Sequence, residues 1–312
     1  MLQMTTLLIT HPACFDHLTP AGHPERPDRL RAIESALEAE RFQHLVRVQA
    51  PAAKLETIAL CHPMDYVERV QEVTPKQGMV RLDADTSMSP GSFEAAIRCV
   101  GGAVHAVDEV VAKKATNAFI AMRPPGHHAE TARPMGFCIF NQTAIAARHA
   151  QKKHGLGRVA IVDFDVHHGN GSQEIFWSDA SVMYCSTHEM PLYPGTGAVN
   201  ERGEHDNIVN APLRSGDGGK EFRAAFETRI LPRLSAFGAE LIMISAGFDA
   251  HMRDPLASLN LTEPDFAWAT RKIMEIADKT AEGRVVSVLE GGYDLEGLSQ
   301  SAAAHVDALM QG

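Results

Sequence analysis

This chain contains no uninterrupted apolar run of the ~18 residues needed to span a bilayer, so no membrane partner is expected. Its five cysteines (Cys14, Cys61, Cys99, Cys138, Cys185) are odd in number, widely spread and form no C-x-x-C pair. That argues against a disulfide framework and against a cysteine zinc site. A reducing, cytoplasmic setting is the simplest expectation. The opening MLQMTTLLITHPAC has neither a basic n-region nor a long apolar h-region, so a secretory signal is not expected. Basic residues are outnumbered, 29 Lys+Arg against 39 Asp+Glu, for a net charge of −10. Nucleic acid is therefore not an expected partner, because its backbone needs Lys and Arg to replace counterions. A negative field weakly favours cationic substrates instead. Tandem repeats, low-complexity tracts and Pro/Ser linkers are also lacking, and nothing in the sequence specifies an oligomer.

What is there suits a large core: 312 residues, 45% of them hydrophobic, with an ordinary 22% charged. Short β-branched runs alternate with longer helical patterns. This predicts one α/β domain over 1–312, a mostly parallel sheet with helices on both faces. Strands are expected at 5–10, 117–122, 158–165, 182–187, 241–246 and 284–290; several are nearly all apolar, as strands covered on both sides should be. Phe93, Ile97, Val100, Val104, Val107 and Val111 step by four and three, predicting an amphipathic helix. Thr262 before Glu263, Pro264 and Asp265 reads as a helix N-cap, with Phe266, Ile273 and Met274 as packing residues behind it. Gly- and Pro-rich stretches follow several strands, and the carboxyl ends of parallel strands are where ligands bind.

The densest chemistry follows the 158–165 run: Asp163-Phe164-Asp165-Val166-His167-His168-Gly169-Asn170-Gly171. Residues two apart in extended backbone share a face, so Asp163, Asp165 and His167 can project together. Carboxylate and imidazole are first-row metal ligands. A strand end that merely meets solvent would explain one Asp, but not two Asp and two His. A second apolar run leads into Gly247-Phe248-Asp249. Alone, Asp249 reads as a cap or turn residue; converging with Asp165 and His167, it completes three ligands and leaves an open position, as in catalytic zinc. Arg123-Pro124-Pro125-Gly126-His127-His128 sets two histidines on a rigid turn, where imidazole can move protons, ligate metal or simply face solvent. In Glu290-Gly291-Gly292-Tyr293 the glycines allow close backbone approach and can aim the phenol at an oxyanion, although a Tyr after Gly-Gly is often only packing.

The four segments PPGHH, DFDVHHGNG, SAGFDA and EGGYDL resemble, in order, those of zinc-dependent histone deacetylases and their bacterial relatives. HHGNG and EGGY look like the class II branch, which includes acetylpolyamine amidohydrolases and bacterial deacetylase-like amidohydrolases. The resemblance extends through His23-Pro24-Glu25-Arg26-Pro27, Gly136-Phe137-Cys138 and Tyr193-Pro194-Gly195-Thr196-Gly197, covering nearly the whole chain. It implies an arginase/deacetylase-like fold and one Zn2+ on Asp165, His167 and Asp249, a set that also admits iron(II). It implies that His127 and His128 are the proton-transfer pair, oriented by Asp163 and Asn170, and that Tyr293 polarises the scissile carbonyl. One class II branch carries His at the last position and deacetylates poorly, so Tyr293 implies an active enzyme. Gly136, Phe137 and Tyr193 match tunnel walls. Asp163 and Ser186 match contributors to a K+ or Na+ site. Arg26 matches an arginine lining an acetate exit, against the plainer reading of a salt bridge at a helix start.

The implied reaction is hydrolysis of an acylated amine. Acyl-lysine side chains are the expected substrate because Leu256 stands where polyamine-selective relatives carry an acidic gatekeeper and the 188–195 loop is short. An acetylpolyamine is the alternative, with Glu189 or Asp254 as the source of rim charge. A non-catalytic acyl-lysine binder is the third reading. Arginases share the fold, but their second metal needs an Asp-x-Asp pair, and Asp249-Ala250-His251 has His there. His251 is expected at the rim.

Overall fold

The computed structural model describes residues 5–312; the first four residues of the expected 1–312 span lie outside them. Among the described residues ten strands occur: β1 (Thr6–Thr10), β2 (Val46–Gln49), β3 (Val80–Arg81), β4 (Ser87–Met88), β5 (Asn117–Ile120), β6 (Val159–Asp163), β7 (Val182–Glu189), β8 (Ile208–Leu213), β9 (Leu241–Ala246) and β10 (Val285–Leu289). β3 and β4 form a small antiparallel ribbon. The other eight form one sheet in the order β2-β1-β5-β10-β9-β6-β7-β8, with every pair parallel. All six expected strands are present, with ends shifted by up to two residues. In the main sheet β2 and β8 are additions to the expected set, as are β3 and β4 of the ribbon. β2 lies at one sheet edge with its side chains largely exposed, so it lacks the apolar run that marks the central strands.

β5, β6, β9 and β10 are buried along their whole length, and their Val, Ile, Leu and Ala side chains feed a single large core. The helix Ser92–Val111 forms where the apolar spacing predicts it, but its most buried face is different. Ala95, Cys99, Ala103 and Ala106 line that face beside Val107, while Phe93, Ile97 and Val104 pack half-buried on a second cluster that holds Ala96, Val100, Tyr66 and Phe140. Small residues win the inner face because the backbone comes close: a Cβ on Gly101 would overlap the Pro51 carbonyl. Thr262 does cap the helix Glu263–Thr280, with the Asp265 carboxylate accepting the Thr262 N–H at 3.0 Å. Phe266, Ile273 and Met274 are buried behind it.

The strand order decides where the motifs meet. β5, β10, β9 and β6 are four consecutive neighbours, and their carboxyl ends carry, in turn, Pro124–His128, Glu290–Tyr293, Gly247–Asp249 and Asp163–Asn170. Segments far apart in sequence therefore leave the sheet side by side.

Candidate active site

β6 ends at Asp163, and the backbone beyond it is held by its own carboxylates. Asp163 Oδ1 accepts the Asp165 N–H (3.1 Å), and Asp165 Oδ1 accepts the His167 N–H (2.9 Å). The two-residue spacing thus brings these groups together through local hydrogen bonds rather than through continued strand. Asp249, beyond β9, accepts the Val166 N–H on Oδ1 at 2.9 Å, leaving Oδ2 3.1 Å from His167 Nδ1. His167 Nδ1 is 3.3 Å from Asp165 Oδ1, and the three candidate donors all lie within 4.8 Å of one another. Two motif glycines are needed for this approach: a Cβ on Gly247 would overlap the Asp165 carboxylate, and one on Gly291 would overlap Asp249. The Gly291 N–H also donates to Asp165 Oδ2 (2.8 Å). Two carboxylates and one imidazole, buried and fixed by backbone donors, suit a first-row divalent ion. Burial opposes charging His167, but hydrogen bonds to Asp165 and Asp249 push it up to about 10, which shows how strongly the two carboxylates favour positive charge at this point.

The paired histidines diverge in environment. His127 Nδ1 is 3.0 Å from Asp163 Oδ2, which also accepts the Tyr184 hydroxyl at 3.0 Å. Burial lowers its affinity for a proton, but the Asp165 and Asp163 charges overcome this and hold it well above the usual histidine range. His128 Nδ1 lies 2.8 Å from Asn170 Oδ1, and Asn170 Nδ2 donates to Glu130 Oε1 at 2.8 Å. Burial, with His127 and His167 adding repulsion, pushes His128 well below its usual range. Asn170 fixes its tautomer: an amide oxygen can only accept, so Nδ1 carries the proton and Nε2 is left as an acceptor.

Tyr293 is nearly buried. Burial raises its phenol well above 10, as do the Asp249 and Asp165 charges, against the pull of Arg29; the hydroxyl keeps its proton and can donate. A cavity of about 240 Å³ is bounded by His128, His167 and Tyr293 together with Gly136, Phe137, Tyr193 and Leu256. Phe137 meets Tyr293 edge-on (5.9 Å between centroids), and Tyr193 meets His128 likewise (5.2 Å). Phe137 adopts φ +67°, a left-handed conformation costly for a bulky side chain, and Thr86 Oγ1 holds it by accepting its N–H (3.0 Å). Asp163 and Ser186 are register partners on β6 and β7, and Ser186 Oγ is hydrogen-bonded to His188 Nδ1 (2.8 Å).

Several expected residues lie elsewhere. Arg26, expected at an acetate exit, is half-exposed and pairs with Asp28 at 3.3 Å, the helix-start salt bridge of its plainer reading. The buried arginine beside Tyr293 is Arg29, whose Nε donates to the Gly292 carbonyl (2.6 Å) and whose guanidinium lies 4.9 Å from the Tyr293 ring centroid. It pairs with Glu25, which stands four residues earlier, just before the helix. Glu189 and Asp254 are not rim charges. Glu189 is buried and accepts the Ser258 N–H at 2.7 Å; Asp254 is buried and accepts the N–H groups of Leu256 (3.0 Å) and Tyr293 (2.7 Å). The carboxylate on the cavity is Asp85, which no motif marks. His251 is buried rather than at the rim, with Nε2 3.5 Å from Glu263. Glu290 is legible in the sequence only as part of EGGY; its Oε2 accepts the N–H groups of Gly126 (2.6 Å) and His127 (3.1 Å), tying the β10 exit to the histidine turn.

Residues 23–309 match the histone deacetylase domain model. A probable deacetylase of Archaeoglobus fulgidus is 38% identical over 315 residues, covering 99% of this chain and 87% of the relative. A histone deacetylase-like amidohydrolase of Pseudomonas aeruginosa is 38% identical over 279 residues, covering 88% and 73%. The crystal structure of the HDA15 HD domain superposes with a TM-score of 0.94 at 34% identity, covering 99% of this chain and 88% of that one. With its fold, its motif order and this extent of similarity, the chain belongs to the histone deacetylase family, hydrolases acting on amide bonds.

Proposed function

We propose that the chain is a zinc-dependent amidohydrolase that removes acetyl or short acyl groups from acyl-lysine side chains. The observation that carries this reading is the cavity, in which two aromatic walls, Phe137 and Tyr193, border the same space as His128, His167 and Tyr293. Apolar walls suit the methylene stem of a lysine, and the polar groups beside them suit its amide.

Asp165, His167 and Asp249 would hold a divalent ion, which would supply Lewis acidity to the acyl carbonyl and the attacking water. The chain's own groups do the rest. His128, neutral with Nε2 as acceptor, takes the proton from the attacking water and returns it to the leaving amine. His127, whose Nδ1 lies 3.0 Å from the Asp163 carboxylate, is the more basic of the pair and would place a proton beside the developing oxyanion. Tyr293 donates its phenol proton in a hydrogen bond to that oxyanion, and Arg29 fixes the turn it stands on through the Gly292 and Glu290 carbonyls. Asp163 and Asn170 orient the two imidazoles.

An acetylpolyamine is the second reading. It is favoured by Asp85, a half-buried carboxylate bordering the cavity, which would attract the distal ammonium of such a substrate. Leu256 on the same cavity favours the lysine reading.

Purified, metal-quantified protein assayed on an acetyl-lysine peptide and on N-acetylputrescine tests the proposal. The peptide should be hydrolysed with the higher kcat/KM, and chelation or Asp249→Ala should abolish turnover. Preference for acetylputrescine would put the polyamine reading first. No turnover of either by zinc-loaded protein would overturn both.

A further inference from the structure

We propose that Asp108, His149 and His154 form a second divalent-metal site, separate from the catalytic cluster. Asp108 lies near the end of the helix Ser92–Val111, while His149 and His154 lie on the neighbouring helix Gln142–His154. Both imidazoles turn Nε2 toward the same carboxylate oxygen, Asp108 Oδ1, at 2.8 Å and 2.7 Å. All three ligand atoms fall within 4.8 Å of one another. These two helices lead into the amino ends of β5 and β6, whereas the catalytic residues emerge from the carboxyl ends. The two clusters are thus at opposite ends of the strands.

The donor chemistry is specific. Two imidazoles and a carboxylate suit Zn2+, Co2+ or Ni2+, and the partial exposure of the side chains (26%, 11% and 19% for Asp108, His149 and His154) leaves room for water to complete the shell. Tetrahedral zinc sets neighbouring ligand atoms about 3.3 Å apart, given its ~2.0–2.1 Å bonds. The observed contacts of 2.7 and 2.8 Å would have to open slightly, within reach of side chains at a helix end. Lys153 is an adjacent cation: its Nζ donates to the other oxygen, Oδ2, at 2.7 Å, which leaves Oδ1 to the histidines but offsets part of the carboxylate charge. A metal here would clamp one helix to its neighbour. It would contribute to stability and not to turnover.

The test is a Co2+ titration of protein already carrying one catalytic equivalent, followed by visible absorption and by total metal analysis. A second equivalent should bind. His154→Gln and His149→Gln should each weaken it at least tenfold while leaving peptide deacylation and the first equivalent unchanged, and Lys153→Met should tighten it. Binding of only one equivalent by the wild-type chain, or a second equivalent that survives both histidine variants, would overturn the proposal and leave the cluster as an ion-pair network centred on Asp108. His154 sits at the helix end, where a substitution disturbs little packing, so His154→Gln reports on the site even if His149→Gln fails to fold.

Discussion

His128 Nδ1 lies 2.8 Å from Asn170 Oδ1, while the adjacent His127 faces a carboxylate, Asp163, at 3.0 Å. Two imidazoles whose ring centroids are 4.0 Å apart are therefore pushed in opposite directions: the Asp165 and Asp163 charges raise His127, while burial and the neighbouring His127 and His167 lower His128, against which the neutral Asn170 does little. In the proposed reaction His128 works as a base, so activity is lost as pH falls through its depressed pKa. Asn170→Asp supplies a negative charge at the same place and raises that pKa. The acid limb of kcat/KM should move to higher pH by about one unit, equivalent to ~1.4 kcal/mol. A pH–rate profile of wild type and variant on an acetyl-lysine peptide checks this; an unmoved limb would remove His128 from the role.

Tyr293 keeps its proton and borders the cavity with His128 and His167. If it donates to the oxyanion, Tyr293→Phe removes one preorganised donor and should lower kcat by about 10²–10³. KM and bound metal should change little, because the phenol lies outside the ligand cluster. Steady-state kinetics with metal analysis separates this from a ligand defect.

The motifs are legible in the sequence because each is a run of reactive residues immediately after an apolar strand. Their convergence is not, because it depends on the order β5-β10-β9-β6, which no local pattern encodes. Short-range pairing is equally hard to see. Arg26 and Arg29 belong to the same charged segment, and only burial distinguishes the one over Tyr293 from the one facing solvent. Asp254 and Glu189 read as rim charges for the same reason. A carboxylate that caps buried N–H groups and one that meets substrate look alike until the backbone around them is known.

Glu25 anchors a fully buried group. It pairs with Arg123 through both oxygens and with Arg29 at 3.2 Å, and His17 lies 3.4 Å away. Burial opposes its ionisation, yet Arg123 and His17 hold its pKa well below the usual carboxylate range. A depressed pKa means the stabilisation is present at neutral pH and is lost as pH falls through the folded-state value. Glu25→Gln leaves two buried guanidinium groups short of a counter-charge and should cost about 3–5 kcal/mol. Urea denaturation at pH 7 measures this directly. Lowering the pH should shrink the gap between wild type and variant.

Leu256 and Asp85 border the same cavity, one apolar and one charged. An acyl-lysine in a peptide presents neutral backbone at the mouth, whereas an acetylpolyamine presents an ammonium. A second carboxylate would act on the second kind of substrate only. Two unit charges about 5 Å apart interact by roughly 3 kcal/mol at an effective dielectric of 20, before solvent and salt reduce it. Leu256→Glu should therefore raise the ratio of kcat/KM for N-acetylputrescine to that for the peptide by about tenfold, and the gain should fade as salt is added. The Leu256 N–H already donates to Asp254 at 3.0 Å, so the backbone at this position is held independently of the side chain. A ratio unchanged at low salt would mean that the ammonium does not pass this residue, and that Asp85 alone sets charge selection at the mouth.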